Sequence, residues 1–589
     1  MATTEAAPAE TGGTRQRGAI SRLLWYRSLD SYPDTGPRVF FLAVVVIATI
    51  LLYYELYVAG AVAPAIIAHY HMSFKYYVDI FVVSNLVGAF ASIVAGLADR
   101  WGRANLVAYG LGVTGLLILF GIPNASSELT FAIVMVAIGF VEGMLLVATP
   151  ALVRDFSPQL GRASAMGFWT LGPVVGSLVV TEVASHTLTH LHAWQDQFVI
   201  CGIVGLVVFV IALFGLRELS PQLRDQLMVS VRDRALVEAR AKGIDVEESL
   251  KHPARQMLHL DVVGSAFAIS VFLLIYYAAV GFFVIYFTTV FHGFTTARAN
   301  SLANWFWAFD AVALVVVGIV SDLLKVRKPF MVLGGAGAIV TTIIFLSKAT
   351  QPNTSYYTLA LIISLVAISL AVAYAPWMAS FTETVERRNP ALVATGLAVW
   401  GWIIRITVSV SYFLIPFVVS STTPLVTYGT SVETALVAVQ KAPTVKVPYS
   451  TSPQPLLSVV EGHATLFGEL GKYHPASTIP AALLGKAVGE VGLPALLEAS
   501  KFAAPLGVLA AHGSAVAAAA KATPHQWQHW WWVCVGGEIV FLPLILVMVG
   551  RWRPKKARKD AEDHEREVEE ELAKLSSSGG SGIAPAAGT

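Results

Sequence analysis

Five ionisable side chains lie where an apolar chain should exclude them. Glu55, Glu142, Asp310 and Glu538 each fall near the middle of a long apolar run, and Arg405 falls near the middle of another. A charge at the centre of a bilayer costs about 2.5–3.5 kcal/mol on the mildest scale, so residues of this kind point to function by default. One cation cannot neutralise four carboxylates. An acid without a partner in an apolar medium favours its neutral, protonated form, so the surplus of acid is the chemistry needed to bind and release protons. Arg405 offers the complementary chemistry, a planar fork of donors for a carboxylate. The same residues also allow a plainer role, in which Arg405 pairs with Asp310 or Glu538 and ties helices together. Tyr53, Tyr54, Tyr57, Tyr276, Tyr277, Trp305, Tyr374 and Trp377, with the amides of Asn85 and Asn304, fall at similar depth. Each could meet a solute through an amphipathic ring or an amide, and each alone is equally a packing residue or an interfacial anchor.

The elements that must position these groups are membrane spans. Of 589 residues 56% are hydrophobic and 13% charged, against roughly 25% charged in a soluble domain. A crossing helix needs about 20 mostly apolar residues, and twelve stretches qualify: 39–63, 78–97, 106–122, 129–153, 163–185, 198–216, 262–287, 302–320, 330–346, 359–381, 392–419 and 530–549. The expected organisation is an arm (1–38), a first half of six spans (39–216), a charged linker helix (217–260), spans seven to eleven (261–419), an insert (420–528), the twelfth span (529–552) and a charged tail (553–589). The insert carries Pro and Thr clusters and then Ala-rich periodic runs, which predict a small helical cap. If 505–520 and a neighbouring run entered the membrane, the count would rise to fourteen.

Lys and Arg concentrate in the arm, in the linker, in the tail and after spans two, four, eight and ten. The positive-inside rule makes these segments and both termini cytoplasmic, in a multi-pass protein of the inner membrane, and puts the insert outside. The arm is too long and polar for a cleavable signal peptide. The basic start of the tail suits anionic lipid headgroups. Cys201 and Cys534 both fall within predicted spans, so no disulfide scaffold is expected. His186 and His190, four apart, would share a helical face, with His192 nearby, but without a companion carboxylate at fixed spacing solvated histidines are expected rather than a metal site. No phosphate-binding Gly-x-x-x-x-Gly-Lys-Ser/Thr loop occurs, which leaves ion gradients rather than ATP hydrolysis as the energy source.

Between spans two and three runs Gly96-Leu97-Ala98-Asp99-Arg100-Trp101-Gly102-Arg103, and between spans eight and nine Gly318-Ile319-Val320-Ser321-Asp322-Leu323-Leu324-Lys325-Val326-Arg327-Lys328. Span four closes on Arg154-Asp155 and span ten on Glu383-Thr384-Val385-Glu386-Arg387-Arg388, and Gly167 and Gly172 of span five align with Gly396 and Gly401 of span eleven. An acid ending one span and a basic turn into the next, present twice, resembles the signature of the major facilitator superfamily of secondary transporters. The resemblance covers all but the insert and the tails.

It implies an all-α membrane protein, twelve transmembrane helices in two pseudo-symmetric six-helix halves, with an extracytoplasmic insert between helices 11 and 12. Substrate would pass between the halves near the midplane as one rocks against the other. Spans one and four would line that path. By resemblance Asp99 would meet the N-terminal end of helix eleven, and Arg100 and Arg103 would pair with neighbouring acids, Asp155 first, while Gly102 shapes the turn. Asp322, Lys325 and Arg327 would act likewise opposite helix five. These contacts would exist only with the cytoplasmic side closed.

The sequence departs from the family's drug exporters. Gly139 stands where they carry an Arg in helix four, and Gly172-Pro173-Val174-Val175-Gly176 keeps only the core of their helix-five motif. The expectation is therefore a monomeric carrier, not an enzyme, without cofactor, metal or nucleic acid. Its partners would be protons, membrane lipids and a small polar metabolite, an organic acid among the candidates, moved by proton-coupled symport. Glu55 and Glu142 would be the proton sites, with Arg405 as the carboxylate partner. A proton-driven exporter of amphipathic compounds, or a receptor that uses the outer cap, would share the same architecture.

Overall fold

The computed structural model describes residues 24–94, 102–156, 161–220, 222–223, 256–388, 393–448, 450, 452–470, 472–473, 479–556, 559, 563, 566 and 570. Each apolar run lies in a helix. The first six spans are Thr35–Ala61, continued after Val62 by Ala63–Tyr70, then Phe74–Val94, Arg103–Leu116 with a π-helical turn at Leu117–Gly121, Glu128–Phe156, Gly161–Thr187 and Gln195–Gly215. The seventh is built from Leu260–Gly264, Ser265–Phe272 and Leu274–Val290, and Thr296–Leu324, Lys328–Lys348, Tyr356–Arg388 and Val393–Val418 follow. The last lies in Ser514–Leu544. Among the described residues eleven segments are long and apolar enough to cross a membrane, and the 27-residue helix Gly161–Thr187 fills the fifth place. The chain is a multi-pass membrane protein.

Within each half the spans approach through glycine, since without water to drive association close backbone contact must hold helices together. A Cβ on Gly88 of span two would lie 2.8 Å from the Gly139 carbonyl oxygen of span four, and one on Gly172 of span five 2.7 Å from Thr49 of span one. A Cβ on Gly139 would overlap Ser84. No space exists there for the arginine that the exporters carry. Between the halves, span five lies along span eight and span two along span eleven, the pairing expected of two related halves.

The insert folds as Thr422–Gln440, Leu456–Gly462, Ala464–Leu470, Ala481–Val491 and Leu493–Lys501, around a small core of Val439, Leu456, Val459, Leu466, Ala487 and Val491. Ala503–Val508 and a π-helical turn, Leu509–Gly513, then lead without a break into Ser514–Leu544. The sequence places the twelfth span at 530–549. In the structure its helix begins earlier, because the Ala-rich segment before it has the strongest helix propensity of any composition, and it ends at Leu544, one residue after Pro543. The 42-residue segment Ala503–Leu544 extends about 63 Å at 1.5 Å per residue, twice a bilayer core of about 30 Å. Its first part packs against Thr422–Gln440, at the end of the bundle where span eleven finishes.

Candidate functional site between the halves

Tyrosines from both halves meet at the centre. Tyr53 and Tyr57, one helical turn apart on span one, have ring centroids 5.6 Å apart, and Tyr276 and Tyr277 of span seven 5.5 Å. Tyr412 of span eleven donates its hydroxyl to the Tyr277 carbonyl at 2.9 Å. Arg405 acts electrostatically on Tyr53, and Asp310 of span eight acts on Tyr276 and on Tyr374 of span ten. Among the described residues Arg405 forms no ion pair: neither Asp310 nor Glu538 is its partner. Glu538 is instead enclosed in the second half, where Thr342 donates to one carboxylate oxygen at 2.7 Å. Trp377 lies behind the cluster. It is buried, stacks on Tyr374 and Phe381 at 6.0 and 5.0 Å, and leaves its indole Nε1 without a hydrogen-bond partner.

Glu55 and Glu142 are 2% and 1% exposed, and none of their four carboxyl oxygens has a hydrogen-bond partner. Span one does not turn Glu55 toward the path between the halves. Tyr53 and Tyr57 take that face of span one, and a residue midway between them points to the opposite side. Glu55 therefore enters the first half, where a Cβ on Gly205 of span six would lie 2.6 Å from its Oε1. Tyr54, also buried, lies on that side, beside Cys201. The two acids influence each other, and Glu142 also acts on Tyr57. Tyr57 is thus the link from the buried acids to the central cluster.

The hydrogen bonds joining the halves among the described residues lie from mid-span toward the insert. Asn85 donates to Ser409 Oγ at 2.8 Å, Asn300 to the Ala61 carbonyl at 2.8 Å and the Phe74 amide to Thr423 Oγ1 at 3.0 Å. Asn304 donates to the Glu182 carboxylate, and to Ser185 Oγ at 3.3 Å. The Lys75 ammonium sits 5.7 Å from the ring centres of Phe413 and Phe417. His186 closes span five, which ends at Thr187, so His190 does not continue its face. Sequence reasoning missed Ser409, Tyr412 and Glu182. Only Glu182 left a signal, as an acid near a span end.

At the other end, ion pairs between described residues join neighbours within a half. Arg103 meets Asp155 at 2.9 Å, and Arg327 meets Asp322 at 2.6 Å and Glu383 at 3.2 Å. Arg327 thus pairs within its own half, as the counterpart of Arg103 with Asp155. Gly102 has φ +88° and no room for a Cβ beside Glu218, whose Oε2 accepts from the Arg103 amide at 2.6 Å. Only glycine takes such a backbone without strain. Asp99 and Arg100 lie outside the described residues.

Arg27, unmarked in the sequence among several arginines of the arm, is fully enclosed and donates to Asn105 Oδ1 and to the carbonyls of Ala104, Ala212 and Leu213. Burial lowers its pKa, and the carbonyls at the end of span six suit a cation. Next to it Ser28–Leu29 pairs in parallel with Glu218–Leu219, clasping the arm to the start of the linker.

Residues 45–404, more than half of the chain, match the profile of the Major Facilitator Superfamily. A galacturonate transporter from Dickeya chrysanthemi is 25% identical over 174 residues, 29% of this chain and 50% of that protein; the chain thus spans about half the length of that relative. Among solved structures, a bacterial homolog of the human lysosomal transporter Spinster, inward-facing and unoccupied, aligns with a TM-score of 0.55 at 16% identity, over 87% of this chain and 98% of that one. A proton:xylose symporter bound to 6-bromo-6-deoxy-D-glucose aligns with a TM-score of 0.50 at 14% identity, over 67% and 91%. At these identities the likeness is one of fold. The profile match, the two related halves and the tyrosine cluster between them place this chain in the major facilitator superfamily of secondary transporters.

Proposed function

We propose that the protein is a proton-coupled symporter for a small organic acid in the cytoplasmic membrane. Both termini would be cytoplasmic, the insert would lie outside and the carrier would work as a monomer. The observation that carries this proposal is an unpaired arginine, Arg405, in the tyrosine cluster between the halves, with two unpartnered acids behind it. A guanidinium with its donors free is a partner for a carboxylate. Galacturonate, the cargo named for the 25%-identical relative, is such an anion. Glu55 and Glu142 would hold the proton and signal its presence through Tyr57. A proton crossing about 150 mV releases roughly 3.4 kcal/mol, enough for a gradient of several hundred-fold in a neutral solute; carried one-for-one with a monovalent anion it moves no net charge, and the pH difference alone would drive uptake.

Reconstitution in liposomes with an imposed pH gradient, screened with galacturonate and a panel of organic acids, tests the proposal. Uptake that collapses with a protonophore is expected. Substrate moving against the proton would mark an exporter instead, and transport indifferent to the gradient would remove proton coupling.

A further inference from the structure

One buried face of the last helix carries a polar group at every turn. Thr523, Trp527, Trp531, Cys534 and Glu538 follow one another at spacings of four, four, three and four residues, so they share a helical face. All five are fully buried. The face turns toward spans seven and nine. Trp527 and Trp531 lie 5.3 and 5.1 Å from Tyr286 of span seven between ring centres, and Trp531 lies 5.2 Å from Phe345 of span nine. Thr342, one turn before Phe345, donates to Glu538 Oε1 at 2.7 Å.

These groups are short of partners. Thr523 Oγ1, the Trp527 indole nitrogen and Glu538 Oε2 have no hydrogen-bond partner among the described residues, and the Trp531 indole lies beside the Tyr286 hydroxyl. Ordered water is the usual partner of such groups in a protein interior. Side chains three or four positions apart on a helix face stand about 5–6 Å from one another, the reach of two hydrogen bonds of about 2.8 Å through one water. The row from Thr523 to Glu538 is therefore spaced as a file of waters requires, over about 22 Å at 1.5 Å per residue.

The two ends of the row differ. Ala520, one turn before Thr523, is exposed, and with Pro524 it lines the open cleft beside the insert. Past Glu538 the buried rings of Phe541 and Phe272 of span seven meet at 4.5 Å and close the row. Span seven breaks at Leu273, right after Phe272, and span twelve touches it there so closely that a Cβ on Gly537 would overlap the Val271 carbonyl. A break between two helices is a natural hinge, and this one carries the ring that closes the row. Cys534 is the titratable group on which Glu538 acts, and among the described residues no charged side chain of spans seven, nine or eleven bears on the acid.

We propose that Glu538 is a second proton-binding site, which takes a proton at Oε2 from water along this row and releases it at the other end when Phe541 and Phe272 part. One O–H bond forms at the carboxylate and later breaks, and no electron moves. The proposal rests on the reading of the protein as a proton-coupled carrier and sets its stoichiometry: with one proton held in each half, a monovalent anion would enter with one net positive charge.

The first test needs no substrate. Infrared difference spectra of the full-length protein in lipid, between acid and alkaline buffer, should contain a carboxylic C=O band that disappears in Glu538→Gln and persists in a variant combining Glu55→Gln with Glu142→Gln. Trp527→Phe, which keeps a ring but loses the N–H, should slow hydrogen–deuterium exchange at that band several-fold. Identical spectra for the wild type and Glu538→Gln would overturn the proposal, and unaltered exchange in Trp527→Phe would overturn the water file. The second test uses galacturonate as the probe in liposomes whose potential is set with valinomycin and potassium. About 100 mV, negative inside, should raise wild-type accumulation about 50-fold for one net charge, and Glu538→Gln should lose that response while still following the pH difference. Wild-type accumulation indifferent to the potential would overturn the second proton. Absence of any galacturonate uptake would remove that cargo from the proposed function, with the infrared band still deciding Glu538.

Discussion

The Asn85 side-chain amide donates to the Ser409 hydroxyl at 2.8 Å, joining the second span of one half to the eleventh of the other. A bond of this kind contributes about 1 kcal/mol net, roughly a fivefold shift between two conformations. Asn85→Ala should therefore favour opening at the insert end. A single cysteine at Thr423, reached by an impermeant thiol reagent, should label several-fold faster in that variant, and unchanged labelling would show that the bond does not hold the halves closed.

The pair formed by Arg103 and Asp155 is 16% and 7% exposed at the side chains, which separates it from surface pairs of little consequence. Asp155→Ala should lower stability by about 1.5–3 kcal/mol, the range for a hydrogen bond to a charged group. A double-mutant cycle with Arg103→Ala, read by thermal unfolding in detergent, should return a coupling energy. Additive losses would mean that the two residues act apart.

Helix-four packing gives a third prediction. Restoring the exporters' arginine by Gly139→Arg drives a side chain into Ser84, and even Gly143→Ala sets a Cβ against the Gly88 backbone. The alanine variant should lose about 1–3 kcal/mol and the arginine variant should express poorly. Wild-type thermal stability in both would mean that spans two and four can separate without cost.

Much of this was legible beforehand. Hydropathy alone yields the spans, and the repeated Asp-and-basic turn yields the two halves, because both follow from bilayer thickness and from charge near helix ends. The carboxylate partner of Arg103 was also within reach, since Asp155 closes the adjacent span. What could not be read was direction around a helix. An apolar helix in an apolar solvent shows little periodicity, so nothing announced that Tyr53 and Tyr57 would take the central face and turn Glu55 inward. The long helix running from Ala503 into the last span was hidden for a different reason: its alanines are weakly apolar and read as neither span nor loop.

The roles of the three central charges can be separated by measuring uphill uptake and exchange together. Glu55→Gln and Glu142→Gln remove a titrating group while nearly keeping its shape, in a pocket where no hydrogen-bond partner was present to lose. If either acid carries the proton, uphill uptake should vanish and exchange of substrate across the membrane should survive, because a loaded carrier can rock without net proton movement. Arg405→Lys keeps the charge but loses the planar fork. It should raise the KM for galacturonate by about tenfold, the worth of one charge-assisted contact, and leave a neutral sugar analogue unaffected. Loss of uptake and exchange alike in all three variants, with normal folding, would mean that these charges form a structural network, and the substrate site would then have to be sought elsewhere between the halves.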